Sequence, residues 1–361
     1  LTFGNVRRTD MKKLILIFIF SLLLITPCSA APYDEASLQD SLPDYARNLA
    51  GEATQPASEG LERIESAFTE TLSGGLSGVI KRSLSIIAVA VICAVLTVFC
   101  DDAPEYVSLG GCAAIAIISV SDVNSFVSSG ADVITALSGF SKTLLPAMCA
   151  ASAACGTLSS ATVKYAASVL FLDSFVTIAQ SVILPVIYAY LAAGMASSSF
   201  GSKSLKDISA LLKRACTLLM TAAALGFTAY ISISSIVASG GDAVASKLAK
   251  TAISTALPVV GGIISDAAGT VVAGAEAMRN TLGVFGMVAL LAICVSPFAV
   301  MALNYVGYKL TAAAVKSFGC ARLGELTGCI GSAVGMLLGL VGCCALILFV
   351  SMAVSIKAVG G

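Results

Sequence analysis

Six long apolar stretches, separated by more polar segments, dominate the pattern of hydrophobic positions along the chain. They begin near Leu84, Val107, Phe175, Ala215, Thr281 and Gly331. A membrane-spanning helix needs about 20 predominantly apolar residues, and fewer where other helices enclose it. The pattern therefore predicts an all-α polytopic membrane protein with about six transmembrane helices.

Two further stretches, roughly 122–174 and 239–280, are too polar to be spans and too apolar to be ordinary loops. The second contains TALPVVGGIISDAAG, in which Pro258 and the Gly261-Gly262 pair interrupt an apolar run. Proline removes a backbone donor and glycine weakens a helix. Because irregular backbone persists at membrane depth only where protein or water contacts it, we expect two re-entrant or amphipathic extracytoplasmic segments.

These two stretches also share a pattern of residues. Asp132 and Asp242 lie 110 positions apart, and Leu-Pro pairs ending at Pro146 and Pro258 lie 112 apart. Such regular spacing predicts a degenerate parallel internal repeat. Chance similarity between segments rich in Ala, Ser and Gly is the alternative.

The N-terminal part of the chain has the three-part pattern of a secretory signal. A basic pair, an apolar run and small residues follow one another across residues 11–31, and residues 1–10 read as an upstream extension. Residues 32–82 are polar and acidic, which predicts an extracytoplasmic segment, and residues 83–356 form the polytopic membrane domain. An uncleaved signal anchor would give the same topology.

Part of the acidic segment has helical periodicity. Leu61, Ile64 and Phe68 recur at the spacing of one helix face. This pattern predicts a short amphipathic helix on the membrane or on a partner, and a solvated arm is the alternative.

Composition and charge agree with a membrane protein and set its orientation. Hydrophobic residues make up 57% of the 361 positions and charged residues only 12%. The polar loops near 201–214 and 304–330 carry Lys203, Lys206, Lys213, Arg214, Lys309, Lys316 and Arg322. Since Lys and Arg favour the cytoplasmic side, both loops are predicted to be cytoplasmic. Lys81 and Arg82 are exceptions, because this topology leaves them outside.

The residue types argue against an enzyme. The chain has no His, its 12 Cys form no C-x-x-C pair, and no phosphate-binding G-x-x-x-x-G-K-[ST] motif occurs. We therefore predict no catalytic residues, no metal site and no cofactor. The net charge of zero gives no general attraction to nucleic acid.

A small set of residues is predicted to line a passage or to support it. The set is Asp173, Pro258, Gly261, Gly262, Asp266, Glu276 and Arg279. Asp173 stands at the entry to the third span, where it could equally be an interfacial residue that reaches water. Glu276 and Arg279 are three apart and could simply pair. Gly331, Gly335 and Gly339 share one face of the last span, which predicts close helix packing.

The stretch AKTAISTALPVVGGIISDAAGTVVAGAEAMRNTLGVFGMVALLAICVSPF, residues 249–298, resembles the stage III sporulation protein AE family of endospore-forming bacteria. The likeness extends to the signal peptide, the acidic arm and the polytopic body. It implies a multi-pass subunit of a secretion-like channel complex in the mother-cell membrane around the forespore. The implied partners are other stage III sporulation membrane proteins, including a ring-forming subunit, and a cytoplasmic ATPase.

Two other functions remain open at this point. The internal repeat, Asp173 and Asp266 favour a stand-alone secondary transporter or permease for a small solute. An intramembrane enzyme is disfavoured by the absence of His and of any recognisable nucleophile arrangement.

Overall fold

A computed structural model describes residues 35–52, 55–99, 104–154, 158–256 and 261–357, and these ranges contain helices and no strand. The helices are α1 (Glu35–Asp40), α2 (Asp44–Ala50), α3 (Ala57–Phe99), α4 (Pro104–Ala154), α5 (Leu158–Ile178), a π-helical turn (Ala179–Ile183), α6 (Leu184–Phe200), α7 (Lys203–Ala256), α8 (Gly261–Ser317) and α9 (Ala321–Lys357). Residues 1–34, which include the predicted signal peptide, lie outside the described ranges.

Six of the described helical stretches are long and apolar enough to cross a membrane, as the sequence predicts. They are Ala57–Phe99, Glu105–Ala151, Ser168–Phe200, Lys203–Ala229, Asn280–Ser317 and Ala321–Ala353. The last two are the most enclosed, with 56% of their most apolar windows buried by other helices. Spans five and six therefore form the centre of the bundle.

Helices α8 and α9 pack as an antiparallel pair. Gly335 lies against Tyr305, and Gly342 lies against Phe298, so the numbering rises along α9 as it falls along α8. Helix α7 runs parallel to α9, because Lys206 contacts Glu325 and Lys213 contacts Ser332. The two loops that carry the predicted cytoplasmic cations thus lie at the same end of the bundle, which is the arrangement that the charge pattern requires.

Helix α3 runs parallel to α8 in a fixed register. Gly60 lies against Val288, Gly75 against Leu303 and Val79 against Gly307, and every pair is 228 positions apart. The acidic residues from 59 to 70 therefore pack beside the fifth span. The most apolar part of α3, from Leu84 onward, lies beside the end of α8 and beyond it.

This register changes the interpretation of Lys81 and Arg82. The hydrophobic pattern places these two residues outside, where they contradict the charge rule. In the structure, Arg82 contacts Asn304 of α8 and so lies toward the end that carries Lys309. The apparent exceptions join the same cationic end of the bundle as the other basic residues.

The first of the two unusual stretches is helical in its described residues, and the helix has no break at Pro146. Helix α4 continues through this proline to Ala154, for a length of about 75 Å at 1.5 Å per residue. The helix is therefore not interrupted at Pro146, and the re-entrant or amphipathic character of this segment stays a prediction. Leu144, Leu145 and Met148 are buried around the proline, and their packing maintains the helix despite the missing backbone donor.

The second stretch falls partly outside the described ranges. Helix α7 ends at Ala256 and α8 begins at Gly261, and Pro258 lies in the range 257–260, which is not described. The repeat stays a prediction, because Pro258 lies outside the described residues.

A π-helical turn precedes Pro185, the internal proline of the third span. The turn covers Ala179–Ile183, and Pro185 is the second residue of the helix that follows. Proline cannot donate to the carbonyl four residues earlier, and a local π-turn accommodates that lost hydrogen bond.

Candidate functional site

The side chain of Arg82 on α3 joins three helices inside the bundle through an ion pair and a hydrogen bond. The Arg82 guanidinium Nε lies 2.5 Å from a carboxylate oxygen of Asp122 on α4, and these side chains are 17% and 31% exposed. Arg82 also donates to the side-chain oxygen of Asn304 on α8. The cation lies over two aromatic rings, 5.9 Å from the centre of Phe126 and 5.3 Å from that of Tyr308.

A hydrogen bond to the backbone orients the Asn304 side chain in this cluster. Asn304 is buried, and its amide donates to the Val300 carbonyl at 2.7 Å, which directs its oxygen toward Arg82. One residue further along α3, the Ser83 hydroxyl accepts a hydrogen bond of 2.8 Å from Thr311. Polar side chains thus fix the register of α3 against α8 where apolar packing alone would tolerate sliding.

A polar stripe follows the outer face of α3 beside the fifth span. Its members are exposed carboxylates and hydroxyls, namely Glu59, Glu62, Glu65, Ser66, Thr69, Glu70, Ser73 and Ser77. The opposite face of α3 carries Gly60 and Val79, which contact α8. Carboxylates inside a bilayer are very unfavourable against lipid, so a stripe beside a membrane-spanning helix requires water or protein wherever it enters the hydrocarbon.

The N-terminal part of the chain is also attached to the fifth span. Tyr45 of α2 donates its hydroxyl to the Ile293 carbonyl of α8 at 3.0 Å. Burial, with smaller contributions from Cys294 and Asp132 nearby, raises the pKa of Tyr45 to about 12. The polar N-terminal segment is therefore packed on the bundle between 44 and 83, rather than forming a separate arm.

Asp173, a predicted site residue, forms a surface ion pair. Its carboxylate lies 3.0 Å from the Lys142 ammonium of α4, and both side chains are more than half exposed. The neighbouring contact between Gln180 and Thr135, at 3.0 Å, ties the π-helical turn after α5 to α4. Asp173 therefore links α4 to α5 at the surface of the bundle.

The three glycines predicted to support packing have different surroundings. A side chain at Gly335 would begin 2.7 Å from the Tyr305 ring, and one at Gly331 would begin 3.0 Å from Cβ of Tyr308. At Gly339 the nearest atom is the Met220 sulfur, at 3.9 Å. Two of the three glycines thus allow the close approach of α8 to α9, and the third leaves ordinary space.

The remaining predicted residues are described only in part. Gly261 and Gly262 are the first two residues of α8, and Asp266, Glu276 and Arg279 lie on the same helix. The side chains of these last three, and the whole of Pro258, lie outside what the structure describes.

Sequence reasoning missed Asp122 and Asn304, which form the polar cluster with Arg82. Asn304 had a detectable signal, because it is an amide in the apolar run VMALNYV. Arg82 had one as well, because it violated the charge rule. Asp122 follows the second apolar run and gave no such signal.

The fold and its buried polar cluster define the class: this is an all-α, multi-pass membrane protein whose helices are joined by polar contacts. The sequence profile described as "Stage III sporulation protein AE" matches residues 44–359. The chain therefore belongs to the stage III sporulation protein AE family, and membership implies a role in sporulation.

A curated relative shows the same similarity. Stage III sporulation protein AE of Bacillus subtilis (strain 168) is 23% identical over 207 residues, which cover 56% of this chain and 52% of the relative. The match thus spans about half the length of that protein. No solved structure shows a significant match to the chain.

Proposed function

We propose that this protein is a membrane subunit of a transenvelope channel between mother cell and forespore, located in the mother-cell membrane and required for forespore development. In this proposal it acts without catalysis, beside a ring-forming subunit, other stage III sporulation membrane proteins and a cytoplasmic ATPase.

The polar stripe of α3 is the observation that carries the proposal. It runs beside the fifth span and exposes four carboxylates over 12 residues, from Glu59 to Glu70. A single chain surrounded by lipid would leave these carboxylates against hydrocarbon. A subunit of a larger assembly turns the polar stripe toward an aqueous passage or toward a partner protein.

The half-buried Arg82–Asp122 pair fixes the helices of such a subunit relative to one another. A charged pair inside the bundle fixes α3 relative to α4 and α8 and holds the polar stripe on one side. Polar contacts of this kind specify register in helical assemblies.

Cysteine accessibility in sporulating cells tests the proposal. Glu62→Cys and Ser73→Cys are placed singly on the polar stripe, and Leu346→Cys is the control on an exposed apolar position of α9. We expect a membrane-impermeant maleimide to modify the stripe positions and to leave Leu346→Cys unmodified. Protection of the stripe in the full assembly, with labelling of the chain expressed alone, would indicate a partner protein instead of water. Equal protection in both conditions would contradict the proposal.

The half-buried ion pair also favours one alternative, a stand-alone transporter, because ionisable groups inside transporter bundles form solute and proton pathways. Reconstitution separates the two functions. A transporter moves a solute in liposomes that contain only this protein, whereas a channel subunit gives no flux without its partners.

A further inference from the structure

Two lysines from different helices converge on one buried hydroxyl at the cationic end of the bundle. Lys309 of α8 donates to the Ser332 hydroxyl of α9 at 2.6 Å, and Lys213 of α7 donates to the same oxygen at 3.4 Å. Their ammonium groups therefore lie at most about 6 Å apart, a distance at which like charges repel. Among the described residues, neither lysine has a carboxylate within ion-pair distance.

Two neighbouring cations at the same end do have carboxylate partners. Lys206 lies 2.7 Å from Glu325, and Arg322 lies 3.4 Å from Glu105. Lys309 has one further acceptor, the Gly328 carbonyl at 3.2 Å, which carries only a partial charge. The pair formed by Lys213 and Lys309 is therefore a concentrated positive site, and an anion would balance it.

The surface beside Lys213 has the shape and polarity of a lipid site. A groove of about 560 Å³ lies on α7, lined by Ala210, Lys213, Arg214, Thr217, Leu218 and Thr221. Arg214 adds a third cation at one end, and Leu218, 71% exposed, provides an apolar surface toward the other. The groove follows a helix that is long and apolar enough to span the membrane.

We propose that Lys213, Lys309 and Arg214 bind the phosphodiester of an anionic phospholipid, with the first part of its acyl chains along the groove of α7. Basic pockets between transmembrane helices on the cytoplasmic side commonly bind anionic headgroups in this manner. A free phosphate ion has the same charged oxygens as the headgroup, but it has no acyl chain that could contact the apolar part of the groove. The site joins α7, α8 and α9, so bound lipid stabilises their packing.

The test uses the full chain purified in mild detergent and measures binding of phosphatidylglycerol by native mass spectrometry. Because one lysine near an anionic surface contributes roughly fivefold in affinity, we expect the Lys213→Gln/Lys309→Gln double variant to bind about 25-fold more weakly. Lys206→Gln, which removes the same charge seven residues earlier on α7, is the matched control and should bind as the wild type does. The Lys213→Arg/Lys309→Arg variant should retain most of the binding.

Several outcomes would overturn the proposal. Unchanged binding by the double Gln variant would do so, as would equal binding of phosphatidylcholine. Displacement of the lipid by equimolar inorganic phosphate would show that the site prefers a free anion. If the double variant does not fold, the single variant Lys213→Gln, at an exposed position, replaces it. We expect this variant to bind the lipid roughly fivefold more weakly, and unchanged binding would contradict the proposal.

Discussion

Arg82 of α3 and Asp122 of α4 lie 40 positions apart in the sequence and form an ion pair. The guanidinium Nε and a carboxylate oxygen are 2.5 Å apart. The sequence places Arg82 just before the first apolar run and Asp122 just after the second, and antiparallel packing of α3 against α4 brings the two residues to the same level. Asn304 completes the cluster from a third helix. The polar stripe and the fifth span are held in register by these contacts.

Removing one partner of this pair should destabilise the protein strongly. Asp122→Leu leaves the Arg82 cation partly buried without its counter-ion, and we expect a loss of about 2–4 kcal/mol in the free energy of unfolding. Thermal unfolding in detergent measures the change.

The double variant Arg82→Leu/Asp122→Leu and the single variant Asp173→Leu serve as controls. The double variant should recover much of the lost stability, because no unpaired charge remains. Asp173 is paired on the surface, so its loss should change stability by less than about 1 kcal/mol. Equal losses at Asp122 and Asp173 would show that the Arg82 cluster has no special role.

Two glycines on one face of α9 should differ in their tolerance of a methyl group. Gly335→Ala places Cβ 2.7 Å from the Tyr305 ring and requires the ring or the two helices to shift, so we expect a loss of about 1–3 kcal/mol. Gly339→Ala meets nothing closer than 3.9 Å and should be neutral or slightly stabilising. Denaturation of both variants under identical conditions measures the difference, and a larger loss at Gly339 would refute the described packing of α8 on α9.

The six spans could be predicted because their apolar runs are long, and the register between them could not. Leu84 begins the most apolar part of α3, so hydropathy alone aligns it with Thr281, the start of the fifth span. The contacts instead pair Gly60 with Val288, because Arg82, Ser83 and their partners form specific polar contacts. Hydropathy measures solvation by lipid, and it does not report which polar groups meet across helices.

Pro146 shows a second limit of the sequence. A proline in an apolar run predicts an interruption, yet α4 continues through it. The sequence cannot reveal that buried neighbours such as Leu144 compensate for the lost hydrogen bond.

Tyr45 should ionise at unusually high pH. Its pKa is raised from 10 to about 12, so the folded state holds the phenol proton more tightly than the unfolded state does. The stabilisation from this group is therefore fully present below pH 10 and is lost as the pH rises through about 12. The phenolate absorbance of the wild type minus that of Tyr45→Phe measures this, with a midpoint near pH 12 expected and one near pH 10 contradicting the docking of α2.

Asp266 provides a test in the cell. If this residue of the second unusual stretch lines water, as the sequence predicts, Asp266→Asn should lower the yield of heat-resistant spores by about tenfold or more. Asp173→Asn, which alters a surface pair, should leave the yield within about twofold. A full spore yield from Asp266→Asn, with normal protein levels, would assign the residue a purely structural role.

The register of α3 on α8 is the central claim, and disulfide cross-linking in native membranes tests it most directly. The hydroxyl oxygens of Ser83 and Thr311 lie 2.8 Å apart, so Ser83→Cys and Thr311→Cys should form a disulfide readily under mild oxidation. Ser83→Cys with Leu303→Cys, two helical turns away, should not. Efficient cross-linking of the Leu303 pair together with none of the Thr311 pair would contradict the register and, with it, the position of the polar stripe beside the fifth span.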